Sequence, residues 1–387
     1  MKIEKTINII KEIYDLPIIR HREMVNLEFF NHIRKKHNFI IIALFDFRNR
    51  LFILRDFGKN YGWELLGGSV GENLISDYND AIQKIAKKII GTKVFNIQPI
   101  AFVKNQFDYE KLSITHVGMV FIARPLNKLN INANIKWGFM KTLPSKMFMT
   151  NLKIAELSFK VVQQITNFSL RKEAVSSENL FLRRVLHKKV INPLFDKFSS
   201  DKIKKNIFEN LTNKCKTFLD VSSGDDDLII NIVNKFNPNL IVCNDISPAC
   251  LDFLKGKINN AKLSEKMIFT NHNILELPFK YKFDVVICKN TFHHFKNDEE
   301  ILRALNIFKN LGKKILIVDI EDPMRSTFLA KLWNKYYVYF LKDQGGYFLN
   351  RKKMRKLLSK CFLKEEFSIK SIVTVKGNYF ISIINPL

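Results

Sequence analysis

The stretch that most constrains the fold is Thr217-Phe218-Leu219-Asp220-Val221-Ser222-Ser223-Gly224-Asp225-Asp226-Asp227, an apolar run ending in an acid and a tight turn of small residues. The helical pattern Leu228-Ile229-Ile230-Asn231-Ile232-Val233 follows it directly. A strand that delivers its carboxyl end into such a turn, with a helix behind it, is the opening βα unit of a doubly wound sheet, where ligands bind at the carboxyl edge. Leu240-Ile241-Val242-Cys243-Asn244-Asp245 reads as a second buried strand ending in an acid, and Phe283-Asp284-Val285-Val286-Ile287-Cys288 as another.

Through these three strands, residues 205–387 resemble the class I S-adenosylmethionine (SAM)-dependent methyltransferases. The resemblance implies a Rossmann-like doubly wound sheet and SAM as cofactor. It also implies roles for individual residues. Asp220 supports the first turn and the methionine ammonium, and Gly224 stands at the middle glycine of the glycine-rich turn, where a side chain would collide with the cofactor. Ser222 and Asp226 occupy the places of the first and third glycines, a departure from the family pattern. Asp245, followed by Ile246, accepts from the ribose hydroxyls; an ordinary helix N-cap is the alternative for that carboxylate.

Asn273, in Asn271-His272-Asn273-Ile274, takes the place of the usual aspartate near the adenine amine, and Ile274 packs on the ring. Lys289 and Asn290 end the fourth strand and fall at the pocket. His293 or His294 is a candidate base for an O–H or N–H nucleophile, with structural packing as the competing role. Two adjacent histidines with no third ligand do not make a metal site. Lys314-Ile315-Leu316-Ile317-Val318-Asp319-Ile320 is a fifth strand, the aromatic-rich residues 333–347 cover the pocket or fill the core, residues 354–358 form a helix, and residues 369–374 and 379–384 supply the last two strands.

The first half has a different plan. Residues 1–35 suggest one or two amphipathic helices broken at Leu16-Pro17. Residues 38–46 and 51–55 are β-rich runs around the polar turn Phe47-Arg48-Asn49-Arg50, which predicts a hairpin. Then come Trp63, the pair Gly67-Gly68, Glu72, a helix from about 76 to 90 ended by Gly91, and the strand 116–124. In this order they resemble the Nudix fold, over about residues 36–165, which implies an α/β/α sandwich with a mixed sheet. A working Nudix helix places an Arg-Glu pair and, two residues on, two adjacent glutamates where this chain has Lys84, Ile85, Lys88 and Ile89, so all three carboxylates are missing and a lysine repels the divalent metal that they bind. A binding or scaffold role without hydrolysis is expected. A helix over about 157–165 closes this half.

The expected division is therefore a Nudix-like domain at 1–165, a helical linker at 166–204 and a methyltransferase domain at 205–387. The densest basic cluster, Arg183-Arg184 with Lys188-Lys189, reads as a solvated helix face or as a contact for an anionic substrate. There is no internal repeat.

Lys and Arg number 63 against 37 Asp and Glu, for a net charge of +26, which attracts polyanions. The lysines are nevertheless scattered over both halves, no RNA-binding signature with interleaved aromatics is visible, and no Asn-Pro-Pro-Tyr-type motif follows the fourth strand. A nucleic-acid partner stays open but is not favoured. No apolar run reaches the ~18–20 residues of a membrane span, and the start of the chain lacks a signal-peptide apolar region, so a cytoplasmic location is expected. The five cysteines have no metal-type spacing and read as reduced thiols.

The leading expectation is a SAM-dependent methyltransferase of a small-molecule acceptor with a non-hydrolytic Nudix-like module in front. An RNA methyltransferase, or an inert nucleotide- or SAM-binding regulatory protein, is the alternative. Acceptor and oligomeric state are not readable from the residues.

Overall fold

The computed structural model describes residues 10–33, 38–56, 62–70, 78–147, 149–164, 192–224, 227–259, 266–323, 326–339, 345–374 and 376–387. Glu72, Asp225, Asp226, the boundary stretch 169–178, the basic cluster at 183–189 and residues 340–344 of the aromatic stretch lie outside them. The chain forms two compact units, one of residues 1–172 with 270–272, the other of residues 173–269 and 273–387.

The first unit is built on a five-stranded mixed sheet in the order β1-β5-β6-β2-β4, with β1 Ile18–Met24, β2 Asn38–Leu44, β4 Leu66–Val70, β5 Val94–Tyr109 and β6 Leu112–Pro125. Strand β1 runs parallel to β5, and β2 parallel to β6; β5–β6 and β2–β4 are antiparallel. Strand β3 (Leu51–Asp56) pairs instead with β7 (Ile135–Met140).

Two expectations are corrected here. Residues 18–24 are a strand, not part of an amphipathic helix, and a short helix, α1 (Leu27–Ile33), follows them. The predicted hairpin is reduced to one bridge, Phe45 to Leu51. Strand β2 is already flanked by β6 and β4, so it has no edge left to offer β3.

Helix α2 (Tyr78–Ile90) buries Tyr78, Ile82, Ala86 and Ile90, a repeat of four residues that keeps one stripe inward. Tyr78 stacks on Phe121 of β6 with ring centroids 5.0 Å apart. Helix α3 (Met149–Gln164) places Ile154, Ala155 and Val162 in one cluster with Val120 and Ile122, which alternate with Phe121 and so point to the other face of the strand. Lys84 pairs with Asp80 at 2.6 Å, and Ile85 lies within van der Waals reach of Gly68.

The second unit opens with helix α4 (Asn192–Phe208) and contains a seven-stranded sheet in the order β10-β9-β8-β11-β12-β14-β13. Its strands are β8 Thr217–Asp220, β9 Leu240–Asn244, β10 Met267–Thr270, β11 Phe283–Lys289, β12 Gly312–Ile320, β13 Phe367–Thr374 and β14 Gly377–Ile384. Strands β9, β8, β11 and β12 are parallel, so their carboxyl ends share one edge; β14 runs antiparallel to β12 and β13 to β14.

The central strands are apolar through their middles because both faces are covered, with the polar residues held to their ends. Phe218, Leu219, Ile241, Val242, Val285, Val286, Leu316 and Ile317 are all buried. Helix α5 (Leu228–Phe236) turns Leu228, Ile229, Ile232, Val233 and Phe236 to that core and is closed by Asn237 in the left-handed region at φ 46°. Helices α6 (Pro248–Asn259), α7 (Asp298–Leu311), α8 (Phe328–Tyr339) and α9 (Arg351–Cys361) complete the unit. Cys243, Cys250 and Cys288 are buried, and burial pushes the Cys243 and Cys288 thiols well above their ordinary range, which keeps them unreactive.

Candidate active site

From β8 the chain first builds outward through β9 and β10, then returns to place β11 and β12 on the other side. The order reverses at β8/β11, the point at which a doubly wound sheet opens its ligand crevice. Asp220, Asp245, Lys289 and Asp319 all fall at or just past the carboxyl ends of these parallel strands.

The turn after β8 is held from both neighbours. The Ser223 N–H donates to the Asn244 carbonyl at 2.9 Å, and the Asn244 amide donates to the Val221 carbonyl at 3.0 Å. On the other side, Ser222 Oγ lies 2.5 Å from Thr291 Oγ1 and donates to the Lys289 carbonyl at 3.3 Å. The serine that replaces the first glycine is thus a tie between the β8 and β11 turns. Gly224 has φ +57°, which L side chains adopt poorly, and among the described residues the nearest atom to a Cβ there would be the Ser222 carbonyl oxygen, 3.9 Å away.

Asp245 fixes this turn directly. One carboxylate oxygen accepts the Gly224 N–H at 2.7 Å and the other accepts the Ser247 N–H at 2.8 Å. The helix-cap alternative is therefore half right: Asp245 bonds an N–H at the entrance to α6 and at the same time fastens the first turn. Ile246 beside it is partly buried. Asn273 accepts the Leu275 N–H at 3.1 Å and so caps the short turn Ile274–Glu276, with Ile274 partly exposed.

Asp220 is 2% exposed. Burial pushes its carboxyl up to about 7, against the pull of the Ser222 N–H, 3.4 Å away, and of the Lys289 ammonium. This is a buried acid under-supplied with positive charge. A cationic ammonium brought beside it would favour ionisation, so this buried acid fits the methionine end of SAM.

The opposite side of the crevice holds the feature that sequence reasoning missed. Asp319, also 2% exposed, accepts the N–H groups of Thr291, Phe292, His293 and Ile320 at 2.9, 2.5, 3.4 and 2.7 Å. The same carboxylate lies 2.6 Å from His293 Nδ1. Burial alone would raise its pKa, but the charge and hydrogen bond of His293, with the backbone donors, hold the carboxyl below the ordinary aspartate range. Facing an ionised carboxylate, Nδ1 carries the proton, which leaves Nε2 as the basic nitrogen of the neutral ring.

The His293 ring is stacked on Phe348, with the planes 7° apart, and lies 4.2 Å from the exposed His294 ring. The segment after residue 344 closes over it. Gly346 and Tyr347 donate their N–H groups to the His293 carbonyl at 3.0 and 3.1 Å, and a Cβ on Gly345 would collide with the imidazole. Tyr347 is anchored in turn by its hydroxyl to Asp298, at 2.7 Å, and by Lys353. Asn290 is exposed in the left-handed region at φ 52°, where it turns the chain from β11 into this loop.

Residues 218–314 match the family model for a methyltransferase domain. An uncharacterised protein of Methanocaldococcus jannaschii is 28% identical over 134 residues, 34% of this chain and 56% of that one, so the chain spans little more than half of that relative. Among solved structures, an S-adenosylmethionine-dependent methyltransferase from Clostridium acetobutylicum is 14% identical with a TM-score of 0.38, covering 52% of this chain and 96% of its own. Magnesium protoporphyrin IX methyltransferase from Synechocystis is 16% identical, TM-score 0.37, covering 58% and 93%. Mitomycin 7-O-methyltransferase is 14% identical, TM-score 0.42, covering 59% and 66%. The family match falls on the strands that build the crevice. The match of residues 218–314 to a methyltransferase domain thus takes in Asp220, Gly224 and Asp245 at the carboxyl edge of the sheet.

Proposed function

We propose that the protein transfers the methyl group of SAM to an O–H or N–H of a small-molecule acceptor. The division is a Nudix-like domain at 1–165, a linker at 166–204 and the methyltransferase domain at 205–387. Asp220, Ser222 and Gly224 would hold the methionine end, Asp245 and Ile246 the ribose, and Asn273 and Ile274 the adenine, with Lys289 at the rim. When bound, the cofactor supplies an electrophilic methyl on a sulfonium, so the protein's task is to hold the nucleophile in line and take its proton.

The observation that carries this reading is the buried Asp319–His293 pair at the crevice, 2.6 Å apart. Asp319 fixes the ring by Nδ1 and supports the positive charge that develops when Nε2 accepts a proton. Asp319 is a positioning residue, His293 the base, and the exposed His294 the weaker candidate for that role. The His293 side chain is 11% exposed beneath the 345–348 segment, a fit for a slender acceptor group more than for a nucleic-acid backbone.

In the first unit, Ile85, which stands at one of the carboxylate places, packs by Gly68, and Lys84, at the arginine place before it, is engaged by Asp80. This supports a binding or scaffold role for a Nudix-like module that does not hydrolyse diphosphates.

The test is transfer of label from tritiated SAM by the full-length protein, offered a fractionated small-molecule extract or total RNA. Label in the small-molecule fraction is expected, with His293→Ala cutting transfer by roughly 10²-fold or more while binding S-adenosylhomocysteine normally. Label in RNA alone, or full transfer by His293→Ala, would overturn the reading.

A further inference from the structure

Helix α8 has its apolar face on the wrong side for a helix packed in a soluble domain. Among its described residues Ala330 is fully buried beside the turn at Gly377, and Trp333 is half-buried under Lys376. Its outward residues are Phe328, Leu329, Leu332 and Tyr339, at 78, 59, 56 and 72% exposure. At about 100° per residue, these four fall within an arc of about 100°, three of them grouped at the start of the helix and Tyr339 on the same side about two turns on.

The charges beside the stripe identify what it meets. Lys331 and Lys335 lie along one rim, and the helix Phe328-Leu329-Ala330-Lys331-Leu332-Trp333-Asn334-Lys335-Tyr336-Tyr337-Val338-Tyr339 carries no acidic residue. The whole chain is at +26. A second copy would bring the same lysines against these, and like charges at contact oppose that pairing. An anionic lipid surface offers hydrocarbon for Phe328, Leu332 and Tyr339 and negative headgroups for Lys331 and Lys335. Among the described residues no helix is long and apolar enough to cross a membrane, and twelve residues lying in the interface need not cross it.

We infer that α8 docks the protein reversibly on anionic membrane surfaces, lying in the headgroup region with its Phe328–Leu332–Tyr339 face in the lipid. The inference does not depend on methyl transfer and is tested without SAM.

Full-length protein is floated with vesicles of phosphatidylcholine alone or of phosphatidylcholine carrying phosphatidylglycerol. Binding to the anionic vesicles should exceed that to neutral ones at least tenfold and weaken as salt is raised. The variant Phe328→Ser/Leu332→Ser should lose at least tenfold in vesicle affinity. Lys331→Glu/Lys335→Glu should lose the preference for anionic lipid. These positions are on the surface, so an unchanged thermal transition confirms folded variants. No vesicle binding by the wild type, or equal binding by the Phe328→Ser/Leu332→Ser variant, would overturn the inference. So would light scattering that shows a dimer disrupted by the same substitutions.

Discussion

Asp220 and Asp319 stand at the ends of parallel strands on one edge of one sheet, and both are 2% exposed. Their carboxyls are nevertheless displaced in opposite directions, Asp220 up to about 7 and Asp319 below its ordinary range. Burial acts on both alike. The difference is supply: Asp319 receives four backbone N–H groups and a histidine from within the chain, whereas Asp220 has the distant Ser222 N–H, the pull of Lys289 and the Ser223 hydroxyl, set against burial and the nearby Asp245 charge. A buried carboxylate completed by the protein is part of the framework. One left incomplete is ready for a cation brought by a ligand.

The largest effect belongs to the completed acid. Asp319→Ala would strand several donors beneath the loop at 291–293, a loss of about 3–5 kcal/mol in a urea titration. A loss under about 1 kcal/mol would mean that the network is not the framework described. Asp220→Asn should behave in the opposite way. Because the folded carboxyl titrates above its unfolded counterpart, wild-type stability declines as pH rises from about 4 to about 7, and the cost is complete above that. The amide removes this dependence, so near pH 8 the variant should be as stable as the wild type or more so. It should lose ~10- to 100-fold in affinity for SAM, as expected for a charged hydrogen bond of roughly 1.5–3 kcal/mol.

A smaller effect sharpens the same contrast. If the ligand needs Asp220 ionised, wild-type affinity for SAM should rise about eightfold between pH 6 and pH 7.5, given a carboxyl at about 7. Asp220→Asn should show no such rise. Calorimetric titration at the two pH values checks both. The smallest expected effect is none: with magnesium or manganese, the protein should turn over nucleoside diphosphate compounds no faster than a matched control, and turnover above that level would restore a hydrolase role to the first unit.

Much of the C-terminal half was legible because buried parallel strands announce themselves as unbroken apolar runs, and an acid or a tight turn marks where each one stops. The placement of Asp220, Gly224, Asp245 and Lys289 at strand ends was legible in this way. Asp319 was not, although it sits in the predicted fifth strand: its partner His293 is 26 residues away in sequence, and nothing local in Ile315-Leu316-Ile317-Val318-Asp319-Ile320 distinguishes a strand-end acid that holds a histidine. The strand Ile18–Met24 escaped for the opposite reason. It is an edge strand alternating between exposed and partly exposed residues, and it is defined by pairing with β5, more than eighty residues away. The hairpin failed because β2 had both its edges taken by distant strands. Local pattern predicted the elements there, and only tertiary pairing could assign β3 to β7.

The structure also revises what the acid after the second strand does. Asp245 anchors Gly224 and Ser247 before any ligand arrives, so its removal touches both the cradle and the ligand. Calorimetric titration of S-adenosylhomocysteine into the full-length wild type and into Asp245→Ala, each verified as folded, tests the assignment of the crevice most directly. One site per wild-type chain is predicted, weakened in the variant by about one to two decades. No binding to folded wild type, or equal binding by both proteins, would contradict the placement of the cofactor at the edge formed by Asp220, Gly224 and Asp245.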